Sequence, residues 1–390
     1  MPDLLRQEIA AAATTWIVKV GTRVLTTKEG LLNQDRVAAL AEELHHLMQA
    51  GRKVCLVSSG AVGAGMGRLG MKSRPTDLSQ LQAVAAVGQT ALVEAYDRCL
   101  RAHGHHAAQI LLTADDLDNR TRYLNIRNTI LTLLELGAVP IINENDTVST
   151  EELQTTFGDN DRLAAMVTNL IRAPLLVLLS DVEGLFDGDP RDAHSQLIPL
   201  VPRLDESVLA LVRDRTTGLS KGGMASKLEA ARLATSAGEN VIIASGQQPG
   251  NLRRILAGES IGTLFIAQGQ TVAAWKRWIG FTAQPRGSLL VDEGAQTAIQ
   301  RQGKSLLAIG IVNAQGSFRK GDVVSIQNSA ALEFARGLSN YSALEVLRIK
   351  GLKTEQIAAA LGQCPHDEIV HRDNMAVTAT KAEGERRKAE

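Results

Sequence analysis

The sequence predicts an α/β protein, a three-layer α/β/α sandwich around a mainly parallel central sheet, followed by a small β-rich domain. Three observations carry this expectation. Short apolar runs alternate with stretches of helical periodicity, the runs are apolar throughout rather than at every second residue, and the pattern changes near Gln284-Pro285-Arg286-Gly287. A strand with two apolar faces is covered by helices on both sides, which is the condition of a buried parallel sheet.

Taken in order, residues 16–20 read as the first strand and Val37, Leu40, Ala41, Leu44, Leu47 and Met48 as the stripe of the helix after it. Residues 54–57 follow, then a long helical stretch over 78–100. Runs at 108–112, 139–142, 175–179 and 241–244 continue the alternation, with helical patterns around Ile126, Ile130, Leu133 and Leu134 and over 228–233. Beyond the change of pattern come short strand candidates at 288–291, 307–312 and 322–326, separated by turn signals at Gly303, Gly316 and Lys320-Gly321. The expected organisation is a loose extension over 1–14, a large domain over 15–280, a β-rich domain over 281–378, and a disordered tail over 379–390, where charges and alanines show no periodicity.

Bulk properties exclude several classes. With 42 basic and 42 acidic residues the chain has no overall charge to draw it to nucleic acid or an acidic membrane surface. The apolar run at 173–179 is far too short to span a bilayer, and Asp3 and Glu8 argue against a secretion signal. Cys55, Cys99 and Cys364 lack metal-type spacing and read as reduced thiols of a cytoplasmic protein. The histidines at 45, 46, 103, 105 and 106 show no ligand pattern, so no residue is assigned to a metal.

The strongest local signal is acidic. From Asn143 to Asp161 there are six carboxylates (Glu144, Asp146, Glu151, Glu152, Asp159, Asp161) and three asparagines without a lysine or arginine. The first cluster follows the strand at 139–142, and ligands of open α/β sheets bind at strand carboxyl ends. An ammonium group or a metal ion would complement both clusters, although Asp159 or Asn160 alone is explained as a helix cap. Three glycine-bearing segments also suit an anion: Lys19-Val20-Gly21-Thr22, the run from Ser58 to Gly65, and Gly218 to Lys227. Each alone is explained by a tight turn; together, with lysines in two, they suit a polyphosphate. Lys19 ends an otherwise apolar strand, so its ammonium must reach water or an anion. Two other matches fail. Gly65-Met66-Gly67-Arg68-Leu69-Gly70 lacks the acidic residue about 20 positions on that a ribose needs, and Gly303-Lys304-Ser305 has Ala298 where a phosphate loop needs glycine.

These residues resemble the amino-acid kinase superfamily, and within it the glutamate 5-kinases with a C-terminal PUA domain. The resemblance rests on Val18-Lys19-Val20-Gly21-Thr22, Ser58-Ser59-Gly60-Ala61, Leu111-Leu112-Thr113, Ile142-Asn143-Glu144-Asn145-Asp146, Gly158-Asp159-Asn160-Asp161, and Gly222-Gly223-Met224 with Lys227. It continues through Lys276-Arg277-Trp278-Ile279 and Val291-Asp292-Glu293-Gly294-Ala295 to His371-Arg372-Asp373. It implies ATP-dependent phosphorylation of the γ-carboxylate of L-glutamate, with Mg²⁺, as the first step of proline biosynthesis. It further implies Ser59, Asp146 and Asn160 as glutamate ligands, and Lys19 and Lys227 as the cations at the transferring phosphoryl group, held by Asp161. Ser180, Asp181 and the run Lys221, Gly222, Gly223, Met224, Ala225, Ser226, Lys227, together with Lys19, would form the nucleotide site. The chain departs from the family's usual pattern at Ser220-Lys221 and at Ser180, where threonine is frequent.

The resemblance also implies feedback inhibition by proline, a homo-oligomer (tetramer or dimer) and coupling to a glutamyl phosphate reductase. Kinases of acetylglutamate, aspartate, carbamate or UMP are the alternatives; the first and last fit poorly, since acetylglutamate lacks a free ammonium and UMP is anionic. An RNA-binding PUA protein is a further alternative. Against it, residues 285–377 carry ten basic and nine acidic side chains, which gives no basic face by composition.

Overall fold

The computed structural model describes residues 3–148, 160–192, 194–213, 223–268, 276, 278–362 and 366–378. The chain divides into two compact units, Met1–Gln268 and Gly269–Glu390. The expected tail at 379–390 lies outside the described residues.

The first unit is built on an eight-stranded sheet. Its strands are β1 (Thr15–Val20), β2 (Lys53–Ser58), β3 (Ala107–Leu112), β4 (Val139–Glu144), β5 (Leu175–Ser180), β6 (Leu200–Val201), β7 (Asn240–Ser245) and β8 (Thr263–Phe265). They lie in the order β3-β4-β2-β1-β5-β7-β8-β6, parallel throughout except for the antiparallel pair β7 and β8. β1, β2, β4, β5 and β7 are buried almost end to end, as their unbroken apolar runs require. The main core gathers Trp16, Val18, Leu44, Leu56, Tyr96, Ile141, Val177 and Ile242, among others.

The strand order sets where a ligand can bind. After β1 the chain builds β2, β3 and β4 on one side, then crosses through the helix Asn160–Ile171 to β5 on the other. The reversal therefore falls between β1 and β5, and such a switch point opens a crevice at the carboxyl ends of the strands. The crossing helix begins at that end of the sheet. Its amino terminus thus points the positive end of its dipole toward the crevice.

Glycines fix a second feature. The helices Ala61–Leu69 and Leu78–Arg101 approach so closely that a Cβ on Gly65 would lie 1.9 Å from the Val84 carbonyl oxygen, and one on Gly88 1.8 Å from that of Ala61. Gly63 is similarly closed by Gly30, at 2.4 Å. Gly63 and Gly65 were expected to bring backbone N–H groups to an anion from a loop. They sit inside a helix instead, and serve helix packing; only Gly60, at φ +107°, is in the turn itself. The G-x-G-x-x-G match ends at Gly70, the helix C-cap, which disposes of it as a dinucleotide loop.

Residues 1–14 were expected to be loose. Leu4–Ala12 is a helix, capped by the Asp3 side chain, which accepts from the Leu5 N–H at 3.0 Å. Arg6 anchors it, its guanidinium donating to the carbonyls of Ile261 (2.6 Å), Pro199 (2.6 Å) and Gly262 (3.1 Å). A buried arginine satisfied by backbone carbonyls is invisible to periodicity, which explains the difference.

The second unit carries β9 (Gly287–Val291), β10 (Ile311–Gly316), β11 (Val323–Gln327), β12 (Glu333–Leu338) and β13 (Met375–Val377), ordered β10-β9-β11-β12-β13. Only β9 and β11 are parallel. Leu289, Val324, Ile326, Phe334, Tyr341, Val346 and Ile369 form its separate core. Gly303 ends the helix Glu293–Gln302 at φ 63° rather than preceding a helix, so Gly303-Lys304-Ser305 is no phosphate loop. Among the described residues no helix is long and apolar enough to cross a membrane.

Candidate active site

Lys19 occupies the fifth position of β1, between Val57 of β2 and Leu178 of β5. Asp161 is the second residue of the crossing helix, and Lys227 lies in the first turn of the helix Met224–Ser236. The fold brings the three together. Lys19 Nζ lies 2.6 Å from Asp161 Oδ1 and Lys227 Nζ 3.0 Å from Asp161 Oδ2. The Asp161 side chain is fully buried, and those of Lys19 and Lys227 are 5% and 10% exposed, so water screens this trio little. Burial alone would push the Asp161 carboxyl up; the two lysines outweigh it and hold it below the usual carboxylate range. One carboxylate against two ammonium groups leaves the trio with a net positive charge. Ser226 Oγ adds a hydrogen bond to Asp161 Oδ2 at 3.3 Å.

Gly223 gives the helix Met224–Ser236 no side-chain cap, so the positive end of this helix, at Met224 and Ala225, suits an anion. Lys221 and Gly222 lie outside the described residues, as do Glu151, Glu152 and Asp159.

Beside the ionic trio runs a chain of neutral groups. Asn160 Nδ2 donates to Ser59 Oγ (2.9 Å) and to Asn143 Oδ1 (3.0 Å), and Asn143 Nδ2 donates to Gln89 Oε1 (2.9 Å). Asn160, Asn143 and Gln89 are all buried. Asn160 is the first residue of its helix, yet its side chain turns to Ser59 and Asn143, so the capping explanation fails for it. Asp146 stands half-buried in the turn beyond β4, where the Val148 N–H donates to the Asn145 carbonyl at 3.1 Å.

Ser180 and Asp181 end β5 on the other side of β1. Asp181 accepts from Arg23 Nη1 at 2.9 Å and from Ser180 Oγ at 3.1 Å. Burial raises this carboxyl, and the Arg23 and Ser180 hydrogen bonds more than offset it, leaving it below its ordinary value. The structure thus unites Lys19, Asp161, Ser226 and Lys227, joins Ser59 to Asn160 next door, and sets Ser180 and Asp181 apart with Arg23.

Gln89, Asn143 and Arg23 were not among the residues read from the sequence as ligands. A signal existed for Gln89: it interrupts the apolar stripe Leu81, Val84, Ala85, Leu92 of the helix Leu78–Arg101 with a buried amide. Arg23 had none.

No group of three or more His, Cys, Asp or Glu side chains able to hold a metal occurs among the described residues. A Mg²⁺ ion carried by nucleotide phosphates needs only one or two protein carboxylates. Asp161 and Asp181 are both already engaged by cations, so they do not form a ready metal cradle.

The chain matches the amino acid kinase family over residues 14–245 and the PUA domain over residues 287–361. A glutamate 5-kinase of Rhodopirellula baltica is 48% identical over 96% of this chain and 96% of its own length. One of Methylococcus capsulatus is 47% identical over 93% and 96%. A UMP kinase structure from Bacillus anthracis overlaps 66% of this chain and 97% of its own, at 15% identity and a TM-score of 0.44; the assignment does not rest on it. With its parallel sheet, its paired lysines and full-length identity near one half, the chain belongs to the amino acid kinase family, among the glutamate 5-kinases.

Proposed function

We propose that the protein transfers the γ-phosphoryl group of ATP to the γ-carboxylate of L-glutamate, giving L-glutamyl 5-phosphate. The observation that carries this reading is the buried trio: a net positive charge held at the switch point, beside an uncapped helix amino terminus. Phosphoryl transfer asks little covalent chemistry of the protein, because a carboxylate is already a nucleophile. What it asks is in-line positioning and neutralisation of charge on the migrating group. Lys19 and Lys227 supply the charge, Asp161 fixes where both ammonium groups stand, and the amino terminus of the helix Met224–Ser236 faces the phosphates. Ser59 and Asn160, with Asp146, hold the amino-acid end of glutamate; Ser180 and Asp181, with residues 221–227, hold the nucleotide.

Mg²⁺ enters this reading with ATP, as counter-ion to its phosphates. The same family reading extends to feedback inhibition by proline, a homo-oligomer, use of the labile acyl phosphate by a glutamyl phosphate reductase, and domain limits of 15–280 and 281–378. Measuring ADP release with glutamate, N-acetylglutamate and aspartate side by side tests it. Glutamate should be preferred by at least about a hundredfold in kcat/KM, since a site built to pair a charged ammonium rejects a substrate without one. Equal rates with N-acetylglutamate would refute the assignment.

A further inference from the structure

We infer that Gln89 is a positioning residue that sets the hydrogen-bond polarity of the glutamate site, and through it the preference for a substrate bearing a free α-ammonium group. The inference rests on the substrate class proposed above. It starts from two buried atoms without a hydrogen-bond partner, Asn160 Oδ1 and Gln89 Nε2, at opposite ends of one chain of amides.

The chain has a direction. Gln89 Oε1 accepts from Asn143 Nδ2, which leaves Asn143 Oδ1 to accept from Asn160 Nδ2. The same Asn160 Nδ2 donates to Ser59 Oγ, so the Ser59 hydroxyl is free to turn its proton outward as a donor. Asn160 Oδ1 then remains as an acceptor. One donor and one acceptor side by side suit the carboxylate and the ammonium of a zwitterion. Reversing every amide would give equally good internal hydrogen bonds, but would present Asn160 Nδ2 in place of Oδ1 and tie up the Ser59 proton. Such a face repels an ammonium. The observed direction needs an acceptor at its far end, which Gln89 Oε1 supplies; a side chain without one leaves the buried Asn143 Nδ2 unpaired and favours the reversed chain.

Geometry holds Gln89 to this task. It follows Gly88, whose missing side chain lets the helix Leu78–Arg101 touch the Ala61 carbonyl, and Ala61 opens the helix that starts just after Ser59 and Gly60. One contact therefore sets the spacing of both ends of the amide chain.

The test compares the full-length protein with Gln89→Met and Gln89→Glu, by coupled ADP release with glutamate and with glutarate, the same diacid without the amino group. Gln89→Met removes the acceptor at similar size; Gln89→Glu keeps it. For Gln89→Met, KM for glutamate should rise and the glutamate-to-glutarate ratio of kcat/KM should fall, each by about tenfold, with KM for ATP held within about twofold. Gln89→Glu should keep the ratio within about threefold of wild type. An unchanged ratio in Gln89→Met, an equal loss in Gln89→Glu, or a parallel rise in KM for ATP would overturn the inference. Absence of glutamate-dependent ADP release from the wild type instead brings down the proposed function itself.

Discussion

Replacing Asp161 by asparagine keeps the shape of the central side chain and removes its charge. At the observed 2.6 and 3.0 Å, each lysine contact carries a gross attraction of about 6 kcal/mol at an effective dielectric constant near 20. Most of that offsets the desolvation of three ions, and removal of one member of a buried pair ordinarily costs about 3–5 kcal/mol, because the other charge is left uncompensated. Here two ammonium groups are left, so the upper half of that range applies. For a unit of this size it corresponds to a fall in Tm of roughly 8–20 °C. The loss should also depend on pH. The Asp161 carboxyl is held below its unfolded value, so its contribution is complete above that value, about 4, and fades as pH falls through the lower folded one. The wild-type advantage over Asp161→Asn should therefore be constant from pH 6 to 8 and shrink below pH 4. Thermal unfolding across that range, alongside coupled ADP release, measures both effects. A variant within about 2 °C of wild type at pH 7 would show that the carboxylate does not hold the lysines.

Lys19→Ala and Lys227→Ala should each lower kcat by roughly 10²–10⁴ while changing KM for glutamate by less than about fivefold, because they act on charge that develops at the phosphoryl group. Steady-state kinetics decide, and unchanged turnover in either variant removes that lysine from the mechanism. Arg6→Ala removes the guanidinium that donates to the carbonyls of Pro199, Ile261 and Gly262, of which Pro199 keeps the Leu264 N–H, and should destabilise the first unit by about 2–4 kcal/mol. A Tm drop of less than about 2 °C in differential scanning calorimetry contradicts that anchoring role.

The central strands were legible because each is an unbroken apolar run: the runs at 16–20, 54–57, 139–142, 175–179 and 241–244 fall within β1, β2, β4, β5 and β7. β6 and β8 were not, since two and three residues are too few to show a period; Arg6 donates to backbone carbonyls just before each of them. The helix Ala61–Leu69 was hidden by its glycines, which weaken helix propensity yet are demanded by the contact with Leu78–Arg101. In the second unit the run at 307–312 divides into a turn at Ala308–Gly310 and the start of β10, and β12, with Glu333 and Arg336 in its six residues, showed no apolar run to read.

At the site, the acidic window and Lys19 stood out on charge alone. That Asp161 would be the carboxylate between the lysines came from family resemblance, and the distances now give it a geometric basis. Gln89 was lost because its helix carries many polar residues, and only its register on the apolar stripe with Leu81, Val84, Ala85 and Leu92 sets it apart from the exposed ones.

The ionic trio is assembled from residues 19, 161 and 227, so more than two hundred positions of chain separate its first member from its last. During synthesis, the early strands emerge with an ammonium and later a carboxylate that cancel each other. The surplus cation arrives only with the helix Met224–Ser236. A chain cut short before that helix lacks both the second ammonium of the trio and the helix amino terminus beside it, so its grip on a phosphate is incomplete until Met224–Ser236 has docked.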